Sequence, residues 1–193
     1  MMSEIGIFLD RDGTINEELE YISDPNDVIL IPGSTEAIRE ANTLGLKVVV
    51  ISNQSGIARG LIKEEELARV NDKLVELLKA TGARLDAIYY CPHHPDYGKA
   101  PYRTLCECRK PGSGMLKQAE AEFDIDLKSS FVIGDRIVDI QTAYPVGAKS
   151  ILVLTGYGQK EYEEIKSQNI NLDYVAKDLL DAMQFVKKSL NLI

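Results

Sequence analysis

Two aspartates separated by a single residue follow the first apolar run of the chain. The run Ile5–Leu9 leads directly into Asp10, Arg11, Asp12 and Gly13. One carboxylate of such a pair can attack phosphorus and help to hold a cation, while the other moves a proton to and from the leaving oxygen. The pattern therefore predicts phosphoryl-transfer chemistry at Asp10, whereas a strand-ending turn with solvated acids is the structural alternative.

Polar side chains also follow the run Val48–Ile51. Hydroxyl and amide groups there would hold phosphate oxygens, and a cation follows a few residues on. The same residue types are common turn formers, so this segment alone does not discriminate between the two interpretations. The candidate ligand-binding residues of this segment are Ser52, Asn53, Gln54, Ser55 and Arg59.

Charged residues in the second half of the chain complete the candidate site. Lys110 would neutralise charge on a transferring phosphoryl group, and the neighbouring Arg109 would grip a second anionic group of the substrate. The run Phe131–Ile133 then leads to Asp135, with Asp139 beyond it. Carboxylates at the end of a strand suit an octahedral Mg²⁺ that keeps several waters.

All three cysteines of the chain fall in one short region that has no clear periodicity. Cys91, His93, Cys106 and Cys108 offer three thiolates and an imidazole, which is a complete ligand set for a tetrahedral structural zinc ion. The adjacent His94 is an alternative ligand. The alternative without a metal is that the cysteines are free thiols in a loop. The odd number of cysteines favours a metal site in a reducing compartment, and hence the cytoplasm, over a disulfide framework.

Short apolar runs alternate with amphipathic segments along the chain, which predicts a parallel sheet with helices on both faces. The carboxyl ends of such strands share one edge, where open α/β sheets bind their ligands. The predicted strands are Ile5–Leu9, Lys47–Ile51, Ala87–Tyr90, Phe131–Ile133 and Ser150–Leu154. The predicted helices are one that starts with a cap at Pro32-Gly33-Ser34 and stops at Gly45, and then Lys63–Leu78, Gly114–Phe123, Ile137–Val146, Glu161–Ser167 and Asp178–Leu190.

Length and charge limit the partners of the chain. A length of 193 residues with 45% hydrophobic content predicts one domain over residues 1–193. The net charge of −8 argues against binding of nucleic acid. No apolar run reaches the length of about 18 residues that a membrane span needs, and the N-terminus lacks a secretion-signal pattern. We also expect a monomer, because no exposed apolar stripe or heptad seam is present.

The order Asp10, Asp12, Ser52, Lys110 and Asp135 resembles the four motifs of the haloacid dehalogenase (HAD) superfamily of phosphatases. The resemblance implies a Rossmann-like, three-layer α/β fold. It makes Asp10 the nucleophile, Asp12 the general acid and base, and Ser52 and Lys110 the groups that stabilise the phosphoryl group. Mg²⁺ would be held by Asp10, the main-chain carbonyl of Asp12, and Asp135, with Asp139 in support.

The cysteine segment narrows the resemblance. Residues 91–95 and 106–111, with the zinc loop at about 91–108, look like a zinc-loop subgroup of this superfamily whose members dephosphorylate heptose bisphosphate or histidinol phosphate. Chain length and Arg109 favour the 7-phosphate of D-glycero-D-manno-heptose 1,7-bisphosphate, a small phosphorylated sugar of nucleotide-activated heptose biosynthesis. The resemblance adds Glu18, Tyr21 and Arg136 to the substrate-binding residues. A histidinol-phosphate phosphatase and a non-catalytic zinc-bearing module are the alternatives.

Spacing between the motifs limits what covers the site. Only about forty residues separate Asp10 from Ser52, and a predicted helix and strand already occupy part of them. The interval from Ser52 to Lys110 likewise holds a helix, a strand and the cysteine loop. We therefore expect no large cap domain and an open site covered only by that loop.

Overall fold

A six-stranded parallel sheet forms the centre of the molecule in the computed structural model, which describes residues 3–192. The strand order is β3-β2-β1-β4-β5-β6, so β1 lies in the middle with the chain crossing over on either side of it. The strands are β1 (Gly6–Leu9), β2 (Lys47–Asn53), β3 (Ala87–Cys91), β4 (Phe131–Gly134), β5 (Lys149–Val153) and β6 (Tyr174–Ala176).

Helices cover both faces of the sheet, which confirms the predicted three-layer α/β fold. The apolar cores show that α1, α2 and α6 pack on one face, while α3, α4 and α5 contribute to the other. The helices are α1 (Ser34–Thr43), α2 (Glu64–Ala80), α3 (Gly114–Phe123), α4 (Ile137–Ala143), α5 (Gly158–Gln168) and α6 (Leu179–Ser189).

Strand β1 shows how the sequence divides between the two faces. Ile7 and Leu9 belong to the core on the side of α1, and Phe8 between them belongs to the core on the side of α3. All three side chains are at most 1% exposed. Because successive side chains of a strand point to opposite faces, a strand buried on both faces has no polar position. Each such side chain contributes about 1.5–3 kcal/mol through burial.

The ends of α1 and α4 follow from local backbone chemistry. Gly33, at a φ of 87°, is the N-cap residue of α1, so the helix begins within the predicted Pro32-Gly33-Ser34, although no side chain caps its first N–H groups. Gly45, at a φ of 75°, follows the end of α1 as predicted. Helix α4 stops at Ala143 and a short 3₁₀ helix takes over, since Pro145 cannot continue the α-helical hydrogen bonding.

Besides α4, which ends three residues before the predicted Val146, two elements differ from the prediction. Strand β6 has three residues and was not predicted, because Tyr174–Ala176 is too short to show a period. Helix α5 begins at Gly158, three residues before the predicted start at Glu161. The other strand boundaries agree with the prediction within two residues.

The connection between β1 and β2 contains only a short 3₁₀ helix and α1 in addition to loop. No cap domain is inserted there within residues 3–192, as predicted. The segment from 92 to 113 lacks regular elements and forms the cysteine-containing loop. Within the described residues, no helix is long and apolar enough to cross a membrane. That residues 1–193 form a single domain stays a prediction.

Candidate active site

The carboxyl ends of β1, β2 and β4 meet because β1 pairs with both of the other strands. These ends carry Asp10, Ser52 and Asp135, and they open into a cavity of about 510 Å³. The position is the switch point of an open parallel sheet, where ligands of this architecture bind. The cavity is lined by Asp10, Asp12, Glu18, Glu20, Tyr21, Ser52, Asn53, Gln54, Ser55, Gly56, Arg59, Arg109, Lys110, Arg136, Val138, Asp139, Tyr157 and Glu161.

Lys110 forms the charged centre of the site. Its Nζ lies 2.9 Å from Oδ1 of Asp10 and 2.6 Å from Oδ1 of Asp139, and it donates a hydrogen bond of 2.8 Å to the carbonyl of Ile51. The residue is only 3% exposed. Burial alone would lower the pKa of Lys110, but the charges of Asp10 and Asp139 outweigh burial and raise it. The ammonium group is therefore firmly protonated.

Asp10 combines a fixed oxygen with an available one. Its Oδ1 accepts from the backbone N–H of Arg11 at 2.8 Å and contacts Lys110, whereas its Oδ2 has no hydrogen-bond donor among the described residues. Burial raises the pKa of Asp10 to about 6, although Lys110 acts in the opposite direction. The carboxylate can therefore present Oδ2 to an electrophile while Oδ1 stays anchored.

Asp135 has the properties of a cation ligand. It is fully buried, its Oδ2 accepts from the backbone N–H of Tyr157 at 2.8 Å, and its Oδ1 has no hydrogen-bond partner among the described residues. Burial, and next the charges of Asp10 and Asp139, raise the pKa of Asp135 to about 9. An unpartnered buried carboxylate oxygen is costly unless a cation joins it.

The carboxylates of Asp10, Asp135 and Asp139 lie close enough to share a metal ion, with ligand oxygens within 4.8 Å of one another. Oxygen donors of this kind fit Mg²⁺. Asp139 is already engaged, because its Oδ1 contacts Lys110 and its Oδ2 accepts from the backbone N–H of Arg136 at 3.0 Å. The arrangement thus fits Asp10 and Asp135 as direct ligands and Asp139 as a support.

Glycines make room for the carboxylate of Asp135. A Cβ atom on Gly13 or on Gly156 would collide with its Oδ2. Gly13 also adopts a φ of 78°, which favours glycine, and its carbonyl accepts a hydrogen bond of 2.6 Å from the hydroxyl of Thr155. The loop after β5 therefore fixes the turn that carries the two aspartates following β1.

Asp12 is held by four N–H donors, two on each carboxylate oxygen. Its Oδ1 accepts from Arg11 Nε at 3.1 Å and Asn16 Nδ2 at 2.9 Å. Its Oδ2 accepts from Arg11 Nη2 at 2.8 Å and Gln54 Nε2 at 3.0 Å. Gln54 also donates to Oγ of Ser52 at 2.8 Å. The amide of Gln54 thus ties Asp12 to the end of β2.

The side chain of Asn53 binds the backbone of Lys110. Its side chain donates to the carbonyl of Lys110 at 3.1 Å and accepts from the backbone N–H of Lys110 at 3.0 Å. This reciprocal pair sets the position of Lys110 relative to β2. Asn53 and Gln54 both line the cavity, and their amides orient Lys110 and Asp12. Their contact with substrate stays a prediction.

The rim of the cavity carries three arginines. The guanidinium of Arg59 lies 3.7 Å from the ring centre of Tyr97, and that of Arg136 lies 4.5 Å from the ring centre of Tyr157. Arg109 Nη1 donates to the carbonyl of His93 at 3.1 Å. Arg59 and Arg136 each lie over one aromatic ring, and Arg109 donates this one hydrogen bond. Each guanidinium therefore retains other N–H groups that can bind an anion.

Ser55, Glu18 and Tyr21 line the same cavity, and their contact with substrate stays a prediction. Glu18 is one of three glutamates that line the cavity together with the arginines, the others being Glu20 and Glu161. Burial, and next the negative charge of Asp12, raise the pKa of Glu18 to about 7. The group can therefore hydrogen-bond a hydroxyl of a ligand as donor or as acceptor near neutral pH.

The four predicted zinc ligands come together. Sγ of Cys106 lies 3.4 Å from that of Cys91 and 3.1 Å from that of Cys108, and Nδ1 of His93 lies 3.5 Å from Sγ of Cys108. A tetrahedral zinc ion with Zn–S bonds of about 2.3 Å needs ligand separations of roughly 3.5–3.8 Å. The cluster is therefore nearly of the size that zinc requires. His94 lies outside it.

Several residues that support the site were not singled out in the sequence. Asn16 and Asn71 gave no signal, because an isolated Asn is common in any loop or helix. For Arg11 the available signal was its position between Asp10 and Asp12, which could have indicated an ion pair. The loop after β5 offered no signal other than its glycines. The missed supporting residues are Arg11, Asn16, Asn71, Thr155, Gly156 and Tyr157.

Fold and site together define a phosphohydrolase of the HAD type. A family model described as HAD-hydrolase-like matches residues 107–182. This stretch contains Lys110, Asp135 and Asp139, which belong to the third and fourth motifs. The family model thus covers the part of the site that holds the lysine and the metal-binding carboxylate.

Relatives extend the match to almost the whole chain. The D-glycero-beta-D-manno-heptose-1,7-bisphosphate 7-phosphatase of Photorhabdus laumondii is 41% identical over 94% of this chain and 96% of its own. The enzyme of the same name from Escherichia coli K12 is 40% identical over 94% of this chain and 93% of its own. The chain belongs to the HAD-like family that contains these heptose bisphosphate phosphatases.

A solved structure agrees with this assignment. D,D-heptose 1,7-bisphosphate phosphatase from B. bronchiseptica, complexed with magnesium and phosphate, matches with a TM-score of 0.83 and 34% identity. The match covers 95% of this chain and 98% of that one. Magnesium in this relative is consistent with the buried carboxylates described above.

Proposed function

We propose that this protein is a Mg²⁺-dependent phosphatase that removes the 7-phosphate of D-glycero-D-manno-heptose 1,7-bisphosphate. The observation that carries the proposal is the meeting of Asp10, Asp12, Lys110 and Asp135 at one sheet edge, where all but the fully buried Asp135 line a cavity rimmed by arginines. Relatives about 40% identical over nearly the full length bear the name of this activity.

In the first half of the reaction, Asp10 attacks the phosphorus. A bond forms between Oδ2 of Asp10 and phosphorus, while the bond from phosphorus to sugar O7 breaks with its electron pair staying on O7. Asp12 donates a proton to O7, so the sugar leaves as an alcohol. Lys110 and Ser52 stabilise the charge on the phosphoryl oxygens during this transfer.

In the second half, water hydrolyses the aspartyl phosphate. Asp12, now a carboxylate, accepts a proton from the attacking water. A bond forms between the water oxygen and phosphorus as the bond from Asp10 to phosphorus breaks. Inorganic phosphate leaves, and both aspartates return to their starting states.

Two metals fit the residues that are present. Asp10, the carbonyl of Asp12, and Asp135 would hold Mg²⁺, which neutralises charge on the transferred phosphoryl group when bound. Cys91, His93, Cys106 and Cys108 would hold a structural Zn²⁺. The zinc loop leads directly into Arg109 and Lys110, so the cluster would set the position of both cations.

The three arginines of the rim favour a bisphosphate over histidinol phosphate. A bisphosphate needs a second anion site at a distance from Asp10, and Arg59, Arg109 and Arg136 supply cations around the cavity. Histidinol phosphate carries an amine and an imidazole instead. Glu18, Glu20 and Glu161 of the cavity lining would suit such a ligand, so the preference rests on the second phosphate, which only the bisphosphate offers to the arginines.

The proposal is tested by identifying the products. The protein, loaded with zinc and supplied with Mg²⁺, should release one equivalent of inorganic phosphate from the heptose bisphosphate. Phosphorus NMR should show that the glycosyl phosphate at C1 remains and the ester at C7 disappears. Release of the C1 phosphate, or loss of both, would contradict the proposed orientation of the substrate in the cavity.

A further inference from the structure

Arg11 is a buried charge that the proposed mechanism does not use. Arg11 stands between the two aspartates in the sequence, and it is only 2% exposed. Buried guanidinium groups require partners, because desolvation of an unpaired charge is costly. The residue is absent from the cavity lining, so it does not contact the space that the substrate occupies.

The guanidinium of Arg11 joins Asp12 to helix α2. Nε and Nη2 form a two-pronged contact with both carboxylate oxygens of Asp12, at 3.1 and 2.8 Å. On its other side, Nη1 donates to Oδ1 of Asn71 at 2.9 Å. Because the planar guanidinium is bound to Asp12 on one side and to Asn71 on the other, it fixes the orientation of the carboxylate as well as its distance. The single ammonium of a lysine cannot do this.

We propose that Arg11, held by Asn71, is a positioning residue that orients the carboxyl group of Asp12 for proton transfer to the leaving oxygen. This inference rests on the proposed role of Asp12 as general acid. Without the fork, Asp12 would keep only one donor on each oxygen, from Asn16 and Gln54, and the orientation of its carboxyl group would be less tightly fixed. Misplacement of a proton donor weakens catalysis even when binding is intact.

The contacts of Arg11 separate this role from that of Lys110. The side-chain hydrogen bonds of Arg11 go to Asp12 and Asn71, whereas Lys110 contacts Asp10 and Asp139 directly. Loss of the Arg11 side chain should therefore spare phosphoryl binding and act through proton transfer alone. The consequence is a dependence on the leaving group that a general loss of structure would not produce.

The test compares two kinds of phosphate. The sugar O7 of the heptose bisphosphate leaves as an alcohol and needs a proton, whereas acetate leaves from acetyl phosphate without one; p-nitrophenyl phosphate serves as a second substrate of the latter kind. The quantity measured is kcat/KM, because it covers the steps up to departure of the leaving group. The ratio of the two values does not depend on the fraction of protein that is folded.

Arg11→Lys should lower kcat/KM for the heptose bisphosphate by about 10- to 100-fold, as general acid catalysis contributes about 10²–10⁴-fold in total. The value for acetyl phosphate should change by less than about threefold, because its leaving group needs no proton. Asn71→Ala should shift the ratio in the same direction by a smaller amount. Asn42→Ala, which removes similar side-chain hydrogen bonds from α1, is the control and should leave the ratio unchanged.

Equal losses on both substrates, or no loss on either, would overturn the inference. Asp12→Asn distinguishes this failure from failure of the proposed function. If Asp12→Asn shows the selective loss and Arg11→Lys does not, Asp12 is the acid and Arg11 does not position it. If Asp12→Asn spares the heptose bisphosphate, the proposed role of Asp12 is wrong and the inference falls with it.

Discussion

Replacing Lys110 by methionine removes the only cation that contacts both Asp10 and Asp139 among the described residues. The ammonium lies 2.9 Å from one carboxylate and 2.6 Å from the other, and it is 3% exposed. Methionine matches the length of the side chain and avoids a cavity, so the change isolates the charge. Asp10, Asp135 and Asp139 would then face one another without this cation.

The size of the effect follows from the geometry. At these distances each charge pair is worth about 6 kcal/mol in an effective dielectric of about 20. Desolvation of the ammonium offsets much of this sum, and removal of one partner of a buried pair costs about 3–5 kcal/mol in proteins. Because the carboxylates can take up protons instead, we expect the free energy of unfolding to fall by about 3 kcal/mol at pH 7.5 without Mg²⁺.

The loss should depend on pH. Lys110 lowers the pKa of Asp10, so its removal raises that pKa further above the value of the unfolded chain. A carboxyl with a raised pKa binds more protons when folded than when unfolded, and stability then falls as pH rises through the interval between the two pKa values. The difference between variant and wild type should therefore be smaller at pH 5.5 than at pH 8.

Urea unfolding of zinc-loaded protein in buffer without Mg²⁺ measures this difference. Lys117→Met is the matched control, because its ammonium is exposed and lies 3.9 Å from Glu107, and its loss should cost less than about 0.5 kcal/mol. Added Mg²⁺ should recover more stability in Lys110→Met than in wild type. A cost below about 1 kcal/mol, or one that is equal at pH 5.5 and 8, would refute the charge balance described here.

Three further predictions concern the nucleophile and the two metal sites. Asp10→Asn should abolish phosphate release while calorimetry still detects substrate binding; persisting turnover would rule out attack by Asp10. Mg²⁺ should raise the melting temperature more at pH 8 than at pH 5.5, because protons compete for Asp10 and Asp135, whose pKa values are raised to about 6 and about 9; an equal rise at both pH values would place the metal elsewhere. Cys108→Ser should lower the zinc content measured by atomic emission and reduce kcat/KM by about tenfold or more, because displacement of catalytic groups by 1 Å can cost about 10² in rate; full activity without zinc would show that the loop positions Arg109 and Lys110 unaided.

The sheet and its site edge could be predicted because they rest on local signals. Strands such as Lys47–Asn53 are apolar on both faces, and a polar residue at the carboxyl end stands out against them. In a parallel sheet the carboxyl ends of all strands lie at one edge, so the polar residues that follow neighbouring strands were expected to lie close together. Strand β6 gave no such signal, since three residues show no period.

The contacts within the site could not be predicted in the same way. Gln54 and Asn53 lie in a segment suited to phosphate, yet their amides contact Asp12 and Lys110, which are 42 and 57 positions away in sequence. Asn71 reaches Arg11 across 60 positions of sequence. Residue type and spacing identify which groups are available, whereas their partners depend on tertiary packing.

Catalytic efficiency on two substrates, measured side by side with Mg²⁺ present, tests the central claim most directly. The account predicts efficient phosphate release from D-glycero-D-manno-heptose 1,7-bisphosphate, with one anomer preferred, and weak release from histidinol phosphate. Preference for histidinol phosphate would be compatible with Asp10 as nucleophile, but it would contradict the claim that the arginines of the rim select a bisphosphate. Absence of turnover with either substrate would contradict the proposed function.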